Sequence, residues 1–425
     1  MRSDLYSLDV VRRGLIFMVF GRAASAVLAV AAMLLTARGL SLVEYGVYST
    51  LLAILALSLT YSGLGLDWVS SRFMPEYRVG APTAEIRRFI GWFVTVRFAS
   101  LCLVAVVLLV AMGPLSDAFN IGQWTDAVTL YLLVIVLEGQ VRSMRSDIFD
   151  PLLLQDHTQG SATLRSLLFL ALVAAQMPGG LTLHEVVSSD LAASGASVLV
   201  AFIQLGVILR RHLAGQEAKP DWRAPRLREI FSVAGHNYTG QLVASLANAN
   251  TLLLVGASIL GPAAVAGFGF CRNLTEQIRR YLPAQLLISV VRPKIVAAFS
   301  IDGRLTGIVE RVQLLFKANL IILMPLVILA ATCGDQVLSL LSGGKFADAW
   351  TVAVGFAVFL VLQSHRIVLS LVANIIGRAH LITVGSLVGI VSLPLAAGLA
   401  LMGYGDKGLA AALVLGELAY HVVFV

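Results

Sequence analysis

Apolar runs of about 20 residues recur along the chain, and each is long enough for a helix to cross a bilayer. They constrain the fold more than any other feature of the sequence. The chain of 425 residues is 58% hydrophobic, has a mean hydropathy of +0.87 and contains only 13% charged residues. Soluble domains contain about 25% charged residues. The sequence therefore predicts an all-α polytopic membrane protein.

We predict twelve transmembrane helices in two six-helix lobes. The predicted spans are 14–37, 45–66, 89–112, 126–146, 161–178, 191–210, 228–256, 262–291, 312–333, 349–376, 380–402 and 408–425. The predicted N-terminal lobe covers residues 1–212, a cytoplasmic linker covers 213–227, and the C-terminal lobe covers 228–425. The linker is the most polar stretch and contains Gly215 and Pro220, which interrupt helices.

Basic residues fall almost entirely on one side of the predicted spans. The other side holds only Arg38, Lys345 and Lys407. Because basic residues accumulate in cytoplasmic loops, we expect both termini to be cytoplasmic. The net charge of +7 then follows the membrane topology and does not indicate a nucleic-acid partner.

Two further features of composition concern the first helix and the cysteines. Arg12 and Arg13 precede an apolar stretch that is longer than a signal-peptide core, so we expect an uncleaved first transmembrane helix. Cys102, Cys271 and Cys333 fall inside apolar segments. We expect them to be packing residues and not a disulfide framework.

The two halves of the chain share a pattern that indicates an internal repeat. A short turn at 39–46 joins the first two spans, and a similar turn at 260–267 joins the seventh and eighth. Pro75 and Pro293 follow these pairs of spans, with Arg72 three residues before the first proline and Arg292 directly before the second. Six spans separate the copies, which predicts a parallel repeat with lobes on either side of a V-shaped central cavity.

Four arginines inside the predicted spans are candidate substrate-binding residues: Arg22, Arg272, Arg366 and Arg97. A guanidinium near the bilayer centre costs from about 2.5 to more than 10 kcal/mol, so it normally faces protein or a water-filled cavity. There it could bind an anionic group of a substrate. The alternatives are a structural ion pair for Arg22 and Arg272, snorkelling to the interface for Arg97, and a role in holding the lobe together for Arg366.

The seventh predicted span is unusually polar. Asn237, Gln241 and Asn248 lie on one helical stripe, given 100° of rotation per residue. Polar stripes in membrane helices face the helix bundle or a cavity. We expect these amides to bind sugar hydroxyls or, alternatively, to form hydrogen bonds between helices.

Three carboxylates inside or near the spans are candidates for ion coupling: Glu138, Glu417 and Asp67. Glu138 could instead pair with Arg142 at i+4 or with Arg145, and Asp67 could cap a helix. The histidines have no metal-ligand spacing, and we identify no catalytic residue, metal site or cofactor. The coupling ion, if there is one, would be H+ or Na+.

Two stretches resemble the polysaccharide transporter family. Residues 37–48 (ARGLSLVEYGVY) resemble its A-R-x-L-G-x-x-x-Y-G region, with Ser41 where glycine is common in the family. Residues 63–66 (GLGL) and 72–77 (RFMPEY) are similar to the motif that follows in that family. Its members are Wzx-type flippases of the multidrug/oligosaccharidyl-lipid/polysaccharide (MOP) superfamily.

This resemblance implies a flippase of the bacterial inner membrane. The substrate would be an undecaprenyl-diphosphate-linked oligosaccharide, moved from the cytoplasmic to the periplasmic leaflet, with the cavity arginines on its diphosphate. Membrane lipid, a polysaccharide polymerase and a chain-length regulator are the other implied partners. The alternatives are a multidrug or lipid II exporter of the same superfamily, or a membrane polysaccharide polymerase or ligase, and only these last two would be enzymes.

Overall fold

The computed structural model describes residues 8–152, 154–211, 222–283, 285, 305–376, 378 and 380–424. Its helices are α1 (Leu8–Gly39), α2 (Leu42–Tyr61), α3 (Leu66–Gly80), α4 (Thr83–Val110), α5 (Met112–Phe119), α6 (Thr125–Ser143), α7 (Gln155–Gln176), α8 (Leu183–Arg211), α9 (Leu227–Leu246), α10 (Ala249–Leu260), α11 (Pro262–Arg280), α12 (Leu305–Ser342), α13 (Trp350–Ile375), α14 (His380–Gly389), α15 (Ser392–Leu399) and α16 (Gly405–Val422). Every regular element in these ranges is helical, as expected where lipid cannot satisfy backbone polar groups. The predicted all-α polytopic fold class is confirmed.

Within these ranges, eight helical segments are long and apolar enough to cross a membrane, or nine if the bent pair α9–α10 forms one span. The protein is therefore a multi-pass membrane protein, and the number twelve stays a prediction. The predicted span 262–291 runs beyond the described residues. Its described part, α11, is less apolar than the other spans because it ends in the polar sequence RNLTEQIRR. Residues Val265 to Asn273 of α11 are all buried.

Two helices begin with the same hydrogen-bonded cap. At the start of α2, the Ser41 amide donates to the Glu44 carboxylate at 3.1 Å and the Glu44 amide donates to the Ser41 hydroxyl at 3.2 Å. Thr182 and Glu185 exchange the same pair of bonds before α8, at 2.8 Å and 3.4 Å. This capping box satisfies backbone N–H groups that the first turn of a helix leaves open. Ser41 therefore has a defined role in the predicted turn.

The predicted spans 228–256 and 380–402 are not continuous helices. The first is broken between α9 and α10, which are bent by 43°. The second is broken between Gly389 and Ser392, where α14 ends and α15 begins. Apolar residues continue through the second break, and the polar residues around the first were interpreted as a stripe on a continuous helix.

Backbone contacts divide the chain into two units. The first comprises Met1–Leu40, Leu55–Asp117 and Ile121–Leu242, and the second comprises Ser41–Ile54, Ala118–Asn120 and Val243–Val425. The units therefore divide α2 and α9, which the predicted lobes 1–212 and 228–425 do not. The lobes and the linker stay predictions, and residues 213–221 of the linker lie outside the described residues.

Each unit is a helix bundle. In the first, α1 packs along α7, α6 and α7 both pack against α8, and α4 packs against α6. In the second, α13 packs against α12 and α16, and α16 also contacts α14 and α15. These contacts place the charged side chains of the spans inside the bundles.

Candidate functional site

The first polar cluster surrounds the interruption between α2 and α3. Leu64 and Gly65 have φ of 51° and 70°, so the helix cannot continue through them. Carbonyl groups at the end of α2 are thereby left without helical partners. The Arg97 guanidinium, 7% exposed, donates from Nη2 to the carbonyl oxygen of Leu59 at 3.1 Å. Arg97 lies near the middle of the candidate membrane span Thr83–Val110.

Two residues of α9 complete this cluster. The Tyr238 hydroxyl donates to the carbonyl oxygen of Tyr61 at 2.6 Å, and Gln241 Nε2 donates to Asp67 Oδ2 at 2.7 Å. Asp67 Oδ1 and Arg97 Nε are buried without a hydrogen-bond partner in the described part of the chain. The structure thus brings three predicted site residues, Asp67, Arg97 and Gln241, to one interrupted helix.

The other two amides of the predicted polar stripe bind backbone. Asn237 Nδ2 donates to the carbonyl oxygen of Val233, one turn earlier in α9, at 2.8 Å. Asn248 Oδ1 accepts from the amides of Asn250 and Thr251 at 2.9 and 3.0 Å and so caps α10. Both amides therefore have structural partners.

Glu138 lies in an ion-pair network within the first unit. It is 1% exposed, and its carboxylate lies 2.5 Å from Arg142 Nε, 3.6 Å from Arg145 Nη2 and 2.7 Å from Arg165 Nε. Arg165 Nη2 lies 2.5 Å from Asp190 Oδ1. The predicted pairing with Arg142 and Arg145 is confirmed. Ion coupling by Glu138 stays a prediction.

Arg165 and Asp190 were missed as interior residues by sequence reasoning. The sequence placed Arg165 on the cytoplasmic side and Asp190 at the end of an outward loop. Arg165 lies inside the span His157–Gly179, as it does inside the predicted span 161–178, and Asp190 lies inside Leu183–Arg210 because that helix begins earlier than predicted. The available signal was one isolated charge of opposite sign in each of two consecutive helices.

Arg366 and Glu417, predicted separately, form an ion pair within the second unit. Arg366 Nη1 donates to Glu417 Oε2 at 3.1 Å, and Arg366 Nη2 donates to the Ser386 hydroxyl at 2.9 Å. The pair joins α13, α14 and α16. A predicted substrate-binding residue and a predicted coupling residue therefore share one site.

The remaining candidates are the two arginines of α11 and α1. Arg272 is 6% exposed, and its Nη1 donates to Asn273 Oδ1 at 3.3 Å. Asn273 Nδ2 in turn donates to the Tyr45 hydroxyl at 3.2 Å. Arg22 lies on α1, but its side chain is outside the described part of the structure. Among the described residues, no cluster of His, Cys, Asp or Glu could hold a metal ion.

The described helices form a polytopic membrane protein with arginines and carboxylates inside its bundles. Comparison with solved structures identifies the fold. A multidrug resistance MATE family transporter of the MOP superfamily, in an inward-facing conformation, has a TM-score of 0.69 at 14% identity, covering 96% of each chain. Lipid II flippase MurJ, in an inward closed conformation, has a TM-score of 0.70 at 11% identity, covering 96% of this chain and 86% of that one. A mutant of the Vibrio cholerae MATE transporter VcmN has a TM-score of 0.63 at 15% identity, covering 98% and 95%.

At these identities the likeness defines the MOP fold and nothing finer. The family follows from the sequence, because a family model described as "Polysaccharide biosynthesis protein" matches residues 11–293. The chain belongs to this polysaccharide biosynthesis protein family, as the predicted resemblance implied. No curated protein matches the chain.

Proposed function

We propose that the protein is a flippase that moves an undecaprenyl-diphosphate-linked oligosaccharide from the cytoplasmic to the periplasmic leaflet by alternating access. Membership of a polysaccharide biosynthesis family supports the glycan, and the MOP fold supports transport. The oligosaccharide is an O-antigen, capsule or exopolysaccharide repeat unit. The protein works in the bacterial inner membrane with both termini cytoplasmic, beside a polysaccharide polymerase and a chain-length regulator.

The observation that carries the proposal is the environment of Arg97. Its guanidinium is buried near the middle of a membrane span and binds a backbone carbonyl. No ion pair with a carboxylate holds it within the described residues, and its Nε has no partner there. A buried positive charge of this kind favours an anionic ligand. A diphosphate group satisfies that requirement.

Arginine is the side chain best suited to hold such a group. Its planar guanidinium donates two parallel hydrogen bonds to phosphate oxygens, whereas lysine offers a single ammonium charge. Arg272, on α11, is also buried. We propose that Arg22, Arg97, Arg272 and Arg366 contact the diphosphate or an anionic sugar during the transport cycle.

The test is flipping of an undecaprenyl-diphosphate oligosaccharide in proteoliposomes at matched protein density. Arg97→Gln is expected to slow flipping by about tenfold or more, because a charge-assisted hydrogen bond contributes about 1.5–3 kcal/mol. Arg97→Lys retains the charge and should lose less. Arg22→Ala and Arg272→Ala are assayed alongside. Arg279→Gln is the matched control, since Arg279 pairs with Glu276 and is 37% exposed.

The outcomes separate the related functions. Wild-type liposomes that move lipid II or an organic cation, but not the oligosaccharide lipid, would identify an exporter of the alternative kind. Release of polymerised glycan would identify an enzyme. Unchanged flipping by a folded Arg97→Gln protein would limit Arg97 to supporting the end of α2.

A further inference from the structure

The Arg366 guanidinium contacts three neighbouring side chains, and the Arg366 side chain is only partly buried. Besides its bonds to Glu417 and Ser386, its Cζ lies 3.8 Å from the centroid of the Tyr420 ring, within the range of a cation–π contact. The Arg366 side chain remains 25% exposed, whereas that of Glu417 is 5% exposed. The Arg366 side chain is therefore partly exposed, and its carboxylate counter-ion is buried.

Two acceptor atoms beside this pair lack partners. Glu417 Oε1 and His421 Nε2 are buried and form no hydrogen bond with the described residues. His421 Nδ1 lies 2.6 Å from the carbonyl oxygen of Glu417. Because a carbonyl only accepts, Nδ1 must carry the ring proton, and Nε2 of a neutral ring is left with its lone pair. A buried carboxylate and a buried base thus lie one helical turn apart on α16.

The surroundings limit how many charges the site can hold. The His365 ring stacks on the His421 ring with centroids 5.1 Å apart and planes at 11°, so a positive charge on both rings would be repulsive. Helices α10 and α15, which also pack on α16, have no titratable side chain. The other titratable or charged side chains on α16 and on the segments packed against it are His365 and Arg366 of α13, His380 of α14, Tyr404 before α16, Asp406, Lys407 and Tyr420 of α16, and Cys271, Arg272, Glu276, Arg279 and Arg280 of α11.

We propose that Arg366 is an anion-binding site at which Glu417 is an exchangeable counter-ion that accepts a proton. An anionic group of the substrate bonds to Arg366 and breaks the Arg366–Glu417 hydrogen bond. The displaced carboxylate takes one proton from hydronium or the buffer acid, forming an O–H bond, because a buried carboxylate without its partner is strongly destabilised. The proton returns to water when the anion leaves and Glu417 pairs with Arg366 again. The inference rests on the proposed function only in taking a phosphate group as the anion.

The experiment counts protons taken up when an anion binds to the detergent-purified protein. Undecaprenyl diphosphate and, separately, inorganic pyrophosphate are titrated calorimetrically at one pH in two buffers with different ionisation enthalpies. Wild type should take up about one proton per bound anion. When the titrations are repeated at higher pH, the affinity of wild type for the anion should fall by up to about tenfold per pH unit. Glu417→Gln keeps an acceptor for Arg366 and should bind either anion without proton uptake. Glu276→Gln, which alters an exposed pair in the same unit, should behave like wild type.

The result distinguishes this inference from the proposed substrate. Binding of undecaprenyl diphosphate without proton uptake overturns the exchange and leaves the flippase proposal intact. Proton-linked binding of pyrophosphate alone supports the exchange and overturns the proposed lipid. Binding of neither anion, or equal uptake by Glu417→Gln, overturns the exchange.

Discussion

Glu138 shows how much a single buried side chain can determine in this fold. Its carboxylate contacts guanidiniums from both α6 and α7, and Arg165 extends the network to Asp190 on α8. Removing one partner of a buried ion pair leaves the other charges without compensation, which is costly. The network therefore fixes the packing of three helices whether or not Glu138 also binds an ion.

We predict that Glu138→Gln destabilises the first unit. Neutralising this carboxylate leaves Arg142, Arg145 and Arg165 close together, and breaking a buried pair costs about 3–5 kcal/mol. Thermal unfolding in one detergent should show a lower midpoint than wild type. Glu276→Gln is the control, because its partly exposed pair with Arg279 is expected to contribute about 1 kcal/mol or less.

A different result would assign Glu138 another role. If Glu138→Gln unfolds like wild type while flipping loses its dependence on pH or Na+, Glu138 is the coupling carboxylate. If both stability and coupling are unchanged, the arginines must find other partners. Measuring unfolding and flipping on the same preparation separates these cases.

At the scale of helices, the interrupted segments have polar side chains as hydrogen-bonding partners. Tyr238 of α9 donates to a carbonyl group at the end of α2, and Gln241 of α9 donates to the Asp67 side chain at the start of α3. Asn248 caps α10. Interrupted helices inside a membrane require such partners, because lipid cannot bond the freed backbone groups. Tyr238 and Asn248 therefore satisfy backbone groups at the two breaks.

We predict that Asn248→Ser preserves the protein and Asn248→Ala does not. Serine caps a helix about as well as asparagine, whereas alanine at a cap costs about 0.5–2 kcal/mol. Thermal unfolding should therefore rank wild type and the serine variant above the alanine variant, with flipping following the same order. Equal loss of flipping in both variants, with the serine variant fully stable, would mean that the Asn248 amide binds sugar.

For the whole molecule, the sequence predicted the helical class, which the lipid environment requires, and did not predict which side chains pack together. Apolar length predicted the helical class, and the turn at 39–46 predicted the break between α1 and α2, although α2 begins at Leu42 and not at the predicted residue 45. Hydropathy does not report which faces of two helices meet. Arg366 and Glu417 were therefore each identified, but their pairing across 51 residues was not. The break at Asn248 was also missed, because the sequence does not distinguish an asparagine that caps a helix from one on a polar helix face.

Orientation is also a property of the whole molecule, and it can be tested at two exposed residues. Lys407 precedes most of α16 on the side predicted to be periplasmic, and Arg228 lies at the start of α9 on the side predicted to be cytoplasmic. Both side chains are exposed, so a thiol at either position would be reachable. Cys102, Cys271 and Cys333 would first be replaced by alanine to remove native thiols.

In that background, we predict that a membrane-impermeant thiol reagent labels Lys407→Cys in intact cells and labels Arg228→Cys only after the membrane is opened. The reason is the concentration of basic residues on one side, which holds those loops in the cytoplasm. The cysteine-free protein is the control for background labelling. The reverse pattern would invert every loop and place the proposed flipping in the wrong direction. Labelling of both positions in intact cells would mean that one of them lies in a solvent-filled path through the protein.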